Sequence, residues 1–116
     1  VTNADNVFYN VLHLIDLEIQ RKAVYIPLVK MNGLHKIDNT FNYYDTPRNS
    51  NCHSYIDAKP LVLGNIDCFS LIVPLDYWAS IGYWHDYSYA SDFSLAKELS
   101  SYYECVNLPI VLGEHN

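Results

Sequence analysis

His85 and Asp86 stand side by side in the stretch "DYWASIGYWHDYSYASDF", which Asp76 opens and Phe93 closes. A histidine titrates near neutrality, and beside a carboxylate it can take up and return protons. His85 with Asp86, or His85 with Asp76, is the candidate pair for an enzyme. Nothing around it supplies a substrate. The chain has no G-x-S-x-G elbow, P-loop or G-x-G-x-x-G fingerprint, and its four glycines are poorly suited to cradling a phosphate. Five histidines among thirteen carboxylates produce such pairs by chance, so this one does not by itself define an enzyme.

Metal binding is the next chemistry to weigh. His35, Cys52, His53, Cys68, His85 and Cys105 are potential ligands, but none of them forms a C-x2-C or H-x3-H pair. Adjacent ligands such as Cys52 and His53 do not readily point at one ion. The expectation is a chain without metal or cofactor. Cys52 reads as a loop thiol and not a nucleophile, while Cys68 and Cys105 fall in apolar patterns typical of core cysteines.

What distinguishes the stretch is its aromatic density. Seven rings, three aspartates and a histidine occur in eighteen residues with no lysine or arginine. One loop of a small domain cannot easily turn so many rings inward, and tyrosine and tryptophan are favoured anchors of protein interfaces. The expected partner surface comprises Asp76, Tyr77, Trp78, Tyr83, Trp84, His85, Asp86, Tyr87, Tyr89 and Asp92, continued by Glu98 and Glu104.

Charge indicates the partner's chemistry. Residues 1–59 carry six basic and six acidic side chains, whereas residues 60–116 carry Lys97 against seven acids, which gives the net −6. Such a surplus repels nucleic acid and attracts a basic protein. Small acidic immunity proteins that neutralise basic nuclease toxins use the same physics, an analogy of charge and size only. The expectation is a binding module or inhibitor of a basic toxin or enzyme. The alternatives are a viral or phage assembly protein that forms homo-oligomers through its strands, and the small enzyme described above.

The cellular setting follows from composition. No apolar run approaches the ~18 residues of a membrane span. The start "VTNADNVF" lacks the features of a signal peptide, and three widely spaced cysteines do not form a disulfide framework. A cytoplasmic protein is expected. Half the residues are hydrophobic and 17% are charged, a balance that excludes disorder.

The elements that must position these residues read as one α+β domain over residues 1–116. Two helices pack on a mainly antiparallel sheet of four to five strands. Ala4, Val7, Phe8, Val11, Leu12, Ile15 and Ile19 predict a helix from Thr2, capped by Thr2 and Asp5, with Arg21 and Lys22 at its far end. "AVYIPLVK" predicts a strand, with Pro27 marking an edge or a bulge. Asn32-Gly33 predicts a hairpin turn to a returning strand between Leu34 and Tyr44. Asp45 to Ser54 reads as a loop, "KPLVLG" as a strand, and "CFSLIVPL" as a central buried strand. A helix starts near Ser91 with Leu95, Leu99, Tyr102 and Val106 on one face. "LPIVLG" returns as a strand.

Overall fold

The computed structural model describes residues 7–37, 40–43, 52–67, 70–82 and 91–116. Among these, a four-stranded sheet has the order β1 (Val7–Phe8), β6 (Cys105–His115), β2 (Val24–Asn32), β5 (His53–Ile56). A separate two-stranded sheet pairs β3 (Leu34–Ile37) with β4 (Thr40–Tyr43). Helices α1 (Leu12–Glu18), α2 (Leu75–Ser80) and α3 (Ser91–Tyr102) complete an α+β fold. The larger sheet is mixed. Its β1–β6 and β2–β5 pairings are antiparallel, and β2–β6 is parallel.

β2 is central because its sequence, rich in β-branched and apolar residues, can be buried on both faces. Tyr25, Val29 and Met31 join Ile15, Leu34, Ile56, Leu108 and Leu112 in one apolar cluster. Val24 and Ile26 join Ile81, Leu95 and Leu99 in the other. This division follows the period-two alternation of a strand, and it seats α1 on one face and α3 on the other.

Pro27 marks a bulge, as one of the two sequence alternatives held, and β2 is an interior strand and not an edge. The register with β6 slips between Pro27 and Val29, where Leu28 pairs with Val111 after Pro27 pairs with Leu108. Tyr25 exchanges two backbone hydrogen bonds of 2.9 Å with Ile72, on the side away from β6. Pro27, two residues on, presents its missing N–H on that same side, where pairing with β5 begins only at Val29.

Several local expectations are corrected. No helix runs through Val7 and Phe8, which pair with Glu114 and Gly113 as an edge strand, and α1 begins only at Leu12. Thr2 and Asp5, the expected caps, lie outside the described residues, and α1 has no side-chain cap. Ile15 is its one buried residue, so the apolar stripe served a strand and a short helix in succession.

The Asn32-Gly33 turn does not close a hairpin on β2. Asn32 pairs with His53, and Gly33 (φ 87°) donates to the Cys52 carbonyl at 2.9 Å, so β5 already holds that edge. Gly33 instead turns the chain into β3, which pairs with β4. β5 begins in the last two residues of the segment read as a loop, of which residues 45–51 lie outside the described set. "KPLVLG" is not a strand. Its backbone wraps around the fully buried Asn65, whose side-chain amide donates to the Pro60 carbonyl at 2.9 Å and to Asp57 at 3.2 Å. The described part of "CFSLIVPL", residues 70–75, makes only the Ile72 bridge to β2.

The expected helix from Ser91 is α3, with Leu95 and Leu99 buried. Tyr102 is exposed at its end, and Val106 belongs to β6. The terminal strand is longer than "LPIVLG", and its end is tied to its neighbours by Glu114. That carboxylate accepts from Asn32 at 3.1 Å and pairs with Lys30 at 3.4 Å. Desolvation, joined by a hydrogen bond to Glu114, pushes the Tyr9 phenol up to about 12.

Leu99→Ala, at a fully buried site, should cost about 2–5 kcal/mol in urea denaturation, while Leu17→Ala on exposed α1 should stay within about 0.5 kcal/mol. Similar losses in both would restore a packed N-terminal helix.

Candidate functional site

α2 starts where Pro74 fixes the backbone entry and accepts the Trp78 N–H at 3.1 Å. It ends at Ser80, two residues before Gly82, whose φ of 79° an L side chain rarely adopts. One turn and a half of helix projects Tyr77 toward the junction of α3 and β6. There the Tyr77 and Tyr103 rings stack at 3.7 Å between centroids and 5° between planes. The Ser80 hydroxyl donates to the Tyr77 carbonyl at 2.8 Å and also meets the Tyr103 hydroxyl.

Two cations from the segment before β2 pair with carboxylates that neighbour these tyrosines in sequence. Lys22 pairs with Asp76, and its ammonium lies 5.0 Å from the centre of the Tyr77 ring. Arg21 grips Glu104 with two hydrogen bonds, Nε to Oε1 at 2.7 Å and Nη2 to Oε2 at 3.1 Å. Those bonds hold the Glu104 carboxyl below its ordinary range and raise the Arg21 guanidinium. The Lys22 hydrogen bond likewise lowers Asp76, and the Asp76 bond raises Lys22. All four groups are solvent-exposed, so each pair contributes little to stability.

Of the expected partner surface, the fold brings together Asp76, Tyr77 and Glu104. Trp78 is half-buried against the Val24–Leu99 cluster. Asp92 lies at the start of α3, half-buried, where it accepts the Phe93 N–H at 2.7 Å. Glu98 is half-buried on α3. Tyr83, Trp84, His85, Asp86, Tyr87 and Tyr89 lie outside the described residues. The acid–base pairing of His85 with Asp86 or Asp76 therefore has no described geometry, and Asp76 is turned to Lys22.

Arg21, Lys22 and Tyr103 are the members that sequence reasoning missed. Arg21 and Lys22 read as partners of a helix end, yet their carboxylates lie 83 and 54 residues away along the chain. No local signal reports such pairs. The double tyrosine Tyr102-Tyr103 just before the last strand was the available hint for the third.

Among the described residues no group of three or more His, Cys, Asp or Glu is placed to hold a metal ion. His115 meets Asp67 at 3.0 Å, and both are largely buried. Among the described residues Cys52 and Cys105 form no disulfide, and burial pushes the Cys105 thiol up, which disfavours its thiolate. No helix among the described residues is long and apolar enough to cross a membrane.

Partial burial raises the Asp92 carboxyl, with a smaller contribution from Asp67. Folding therefore favours its protonated form, and the associated stability is lost as pH rises through the folded value. Asp76, Glu104 and Glu114 have the opposite sign, since their lowered values make stability fall as the solution is acidified through them. Thermal melts between about pH 3 and pH 7 should show Asp92→Asn gaining on the native protein toward the neutral end only. An equal gain at both ends would exclude titration of Asp92 as the cause.

Comparison of the chain with protein-family models, curated proteins and solved structures finds no match.

Proposed function

We propose that the chain is a small protein-binding module of the cytoplasm, an inhibitor or immunity protein that neutralises a basic toxin or enzyme. Its contact surface is the aromatic and acidic end made by α2, the last turn of α3 and the two residues, Tyr103 and Glu104, that lead into β6. The observation that carries this reading is the Tyr77–Tyr103 stack, fixed in place within the free chain, with Leu75 and Tyr102 beside it in sequence at 77% and 70% exposure.

Fixed rings lose little entropy when a partner covers them, which is why ordered aromatic side chains make effective anchors. Asp76 and Glu104 flank the rings in sequence and already hold Lys22 and Arg21. Exposed pairs of this kind are worth about 0–1 kcal/mol, so exchanging them for a partner's lysines or arginines is nearly neutral. Charge then contributes to encounter more than to affinity. Tyr83, Trp84, His85, Asp86, Tyr87, Tyr89, Asp92 and Glu98 belong to the same proposed contact set.

Affinity capture from the native host, followed by mass spectrometry, identifies the partner. Tyr102→Ala should then weaken binding by on the order of 2 kcal/mol without loss of fold. The association rate should fall as salt is raised. Full affinity in the folded variant, or a rate indifferent to salt, would reject the surface or the basic partner respectively.

A second reading, self-association, is favoured by the β1–α1 segment. Among the described residues β1 is an edge strand, and Phe8, Leu12 and Leu17 are each more than half exposed. A sheet edge beside exposed apolar side chains is a template for a second copy. Sedimentation equilibrium should then give a mass that rises with concentration, and Leu17→Lys should abolish the rise. A monomer at all concentrations would eliminate this reading.

A further inference from the structure

The segment that carries Arg21 and Lys22 has a second side. Together with residues 72–74 it borders an open cleft of about 480 Å³. Among the described residues its apolar lining includes Ile19, Ile72, Val73 and Pro74, and its charged lining is Arg21 and Lys22, with no acidic residue. We propose that this cleft binds a small amphipathic carboxylate, an alkyl or aryl acid. The apolar body would lie against the four apolar residues and the carboxylate would meet Arg21 and Lys22.

Size and lining fit that class. Sites for small molecules occupy roughly 300–1,000 Å³, are mostly apolar and place a few polar groups to fix orientation. The two cations provide the charge complement. Arg21 directs two of its N–H groups at Glu104, whereas a guanidinium carries five donors. Its pair with Glu104 and that of Lys22 with Asp76 are exposed, and exposed pairs compete weakly with a ligand that also buries apolar surface.

The walls are organised in advance by Tyr25. Its hydroxyl donates to the Arg21 carbonyl at 2.5 Å and accepts the Arg21 N–H at 3.3 Å. Its backbone is bonded in both directions to Ile72 on the opposite wall. One buried residue thus joins the cationic side of the cleft to the apolar side, so a ligand meets a preformed site. Neither Tyr77, Tyr102 nor Tyr103 lines the cleft, so ligand binding and partner binding can fail separately.

The test is an NMR titration of the whole chain with octanoate, octanol and octylamine, each below its aggregation limit. The methyl signals of Ile19, Ile72 and Val73 report the cleft. Octanoate should shift them saturably, octanol about tenfold more weakly and octylamine more weakly again. Arg21→Gln with Lys22→Gln should lower octanoate to the level of octanol. Ile19→Glu, on the exposed rim, should weaken both. Absence of saturable shifts with octanoate, or equal affinity for octanol in the native protein, would overturn the proposal, and neither result depends on a variant folding.

Discussion

The parallel pairing of β2 with β6 is the constraint from which the rest of the molecule follows. Parallel strands align their starts, so the residues that precede them are brought together as well. Val24 pairs with Cys105, and the segment before each strand therefore places Arg21 beside Glu104. The same register at the far end sets Lys30 beside Glu114. A hairpin between these strands would have matched the start of one with the end of the other. The parallel arrangement also requires a long connection, and this one contains α2 and α3. Those helices cover one face of β2, while Ile15 of α1 covers the other.

This pairing changes the meaning of the charge distribution. Along the chain, the basic residues lie almost wholly in the first half and the acidic surplus in the second. Folding lays three of the former on three of the latter, as Arg21–Glu104, Lys22–Asp76 and Lys30–Glu114. The field expected of residues 60–116 alone is therefore weakened where those cations arrive. The Arg21 and Lys22 pairs do not hold the fold together, because exposed ion pairs contribute about 0–1 kcal/mol each. Burial of residues such as Val24, Val29, Ile56 and Leu99 does so.

The parts of the fold legible in the sequence are those whose local pattern and tertiary role agree. α3 and β6 were readable because an amphipathic run and a β-branched run occupy places that suit them. β2 was readable for the same reason, and Pro27 pointed to an edge or a bulge, of which the bulge formed. Val7 and Phe8 were not, since an i, i+3, i+4 pattern gave no sign that β6 would need an edge partner. "KPLVLG" misled because its apolar alternation is overridden by one buried amide, Asn65, that gathers the loop around itself. At the candidate site, Asp76 and Tyr77 were legible from composition. Arg21, Lys22 and Tyr103 were not, because their roles depend on which strand lies beside which.

The aromatic end and the cleft draw on the same short segment, and different interactions fix its two sides. Toward the rings, Arg21 and Lys22 are held by exposed carboxylates, contacts that salt and competing ions loosen. Toward the cleft, the backbone of Arg21 is held by the buried Tyr25, which solvent does not reach. The charged tips can therefore change partners while their attachment points stay fixed. An element of this kind supports recognition without refolding: apolar contacts set the geometry, and the charges set the rate of encounter and the choice among ligands of similar shape.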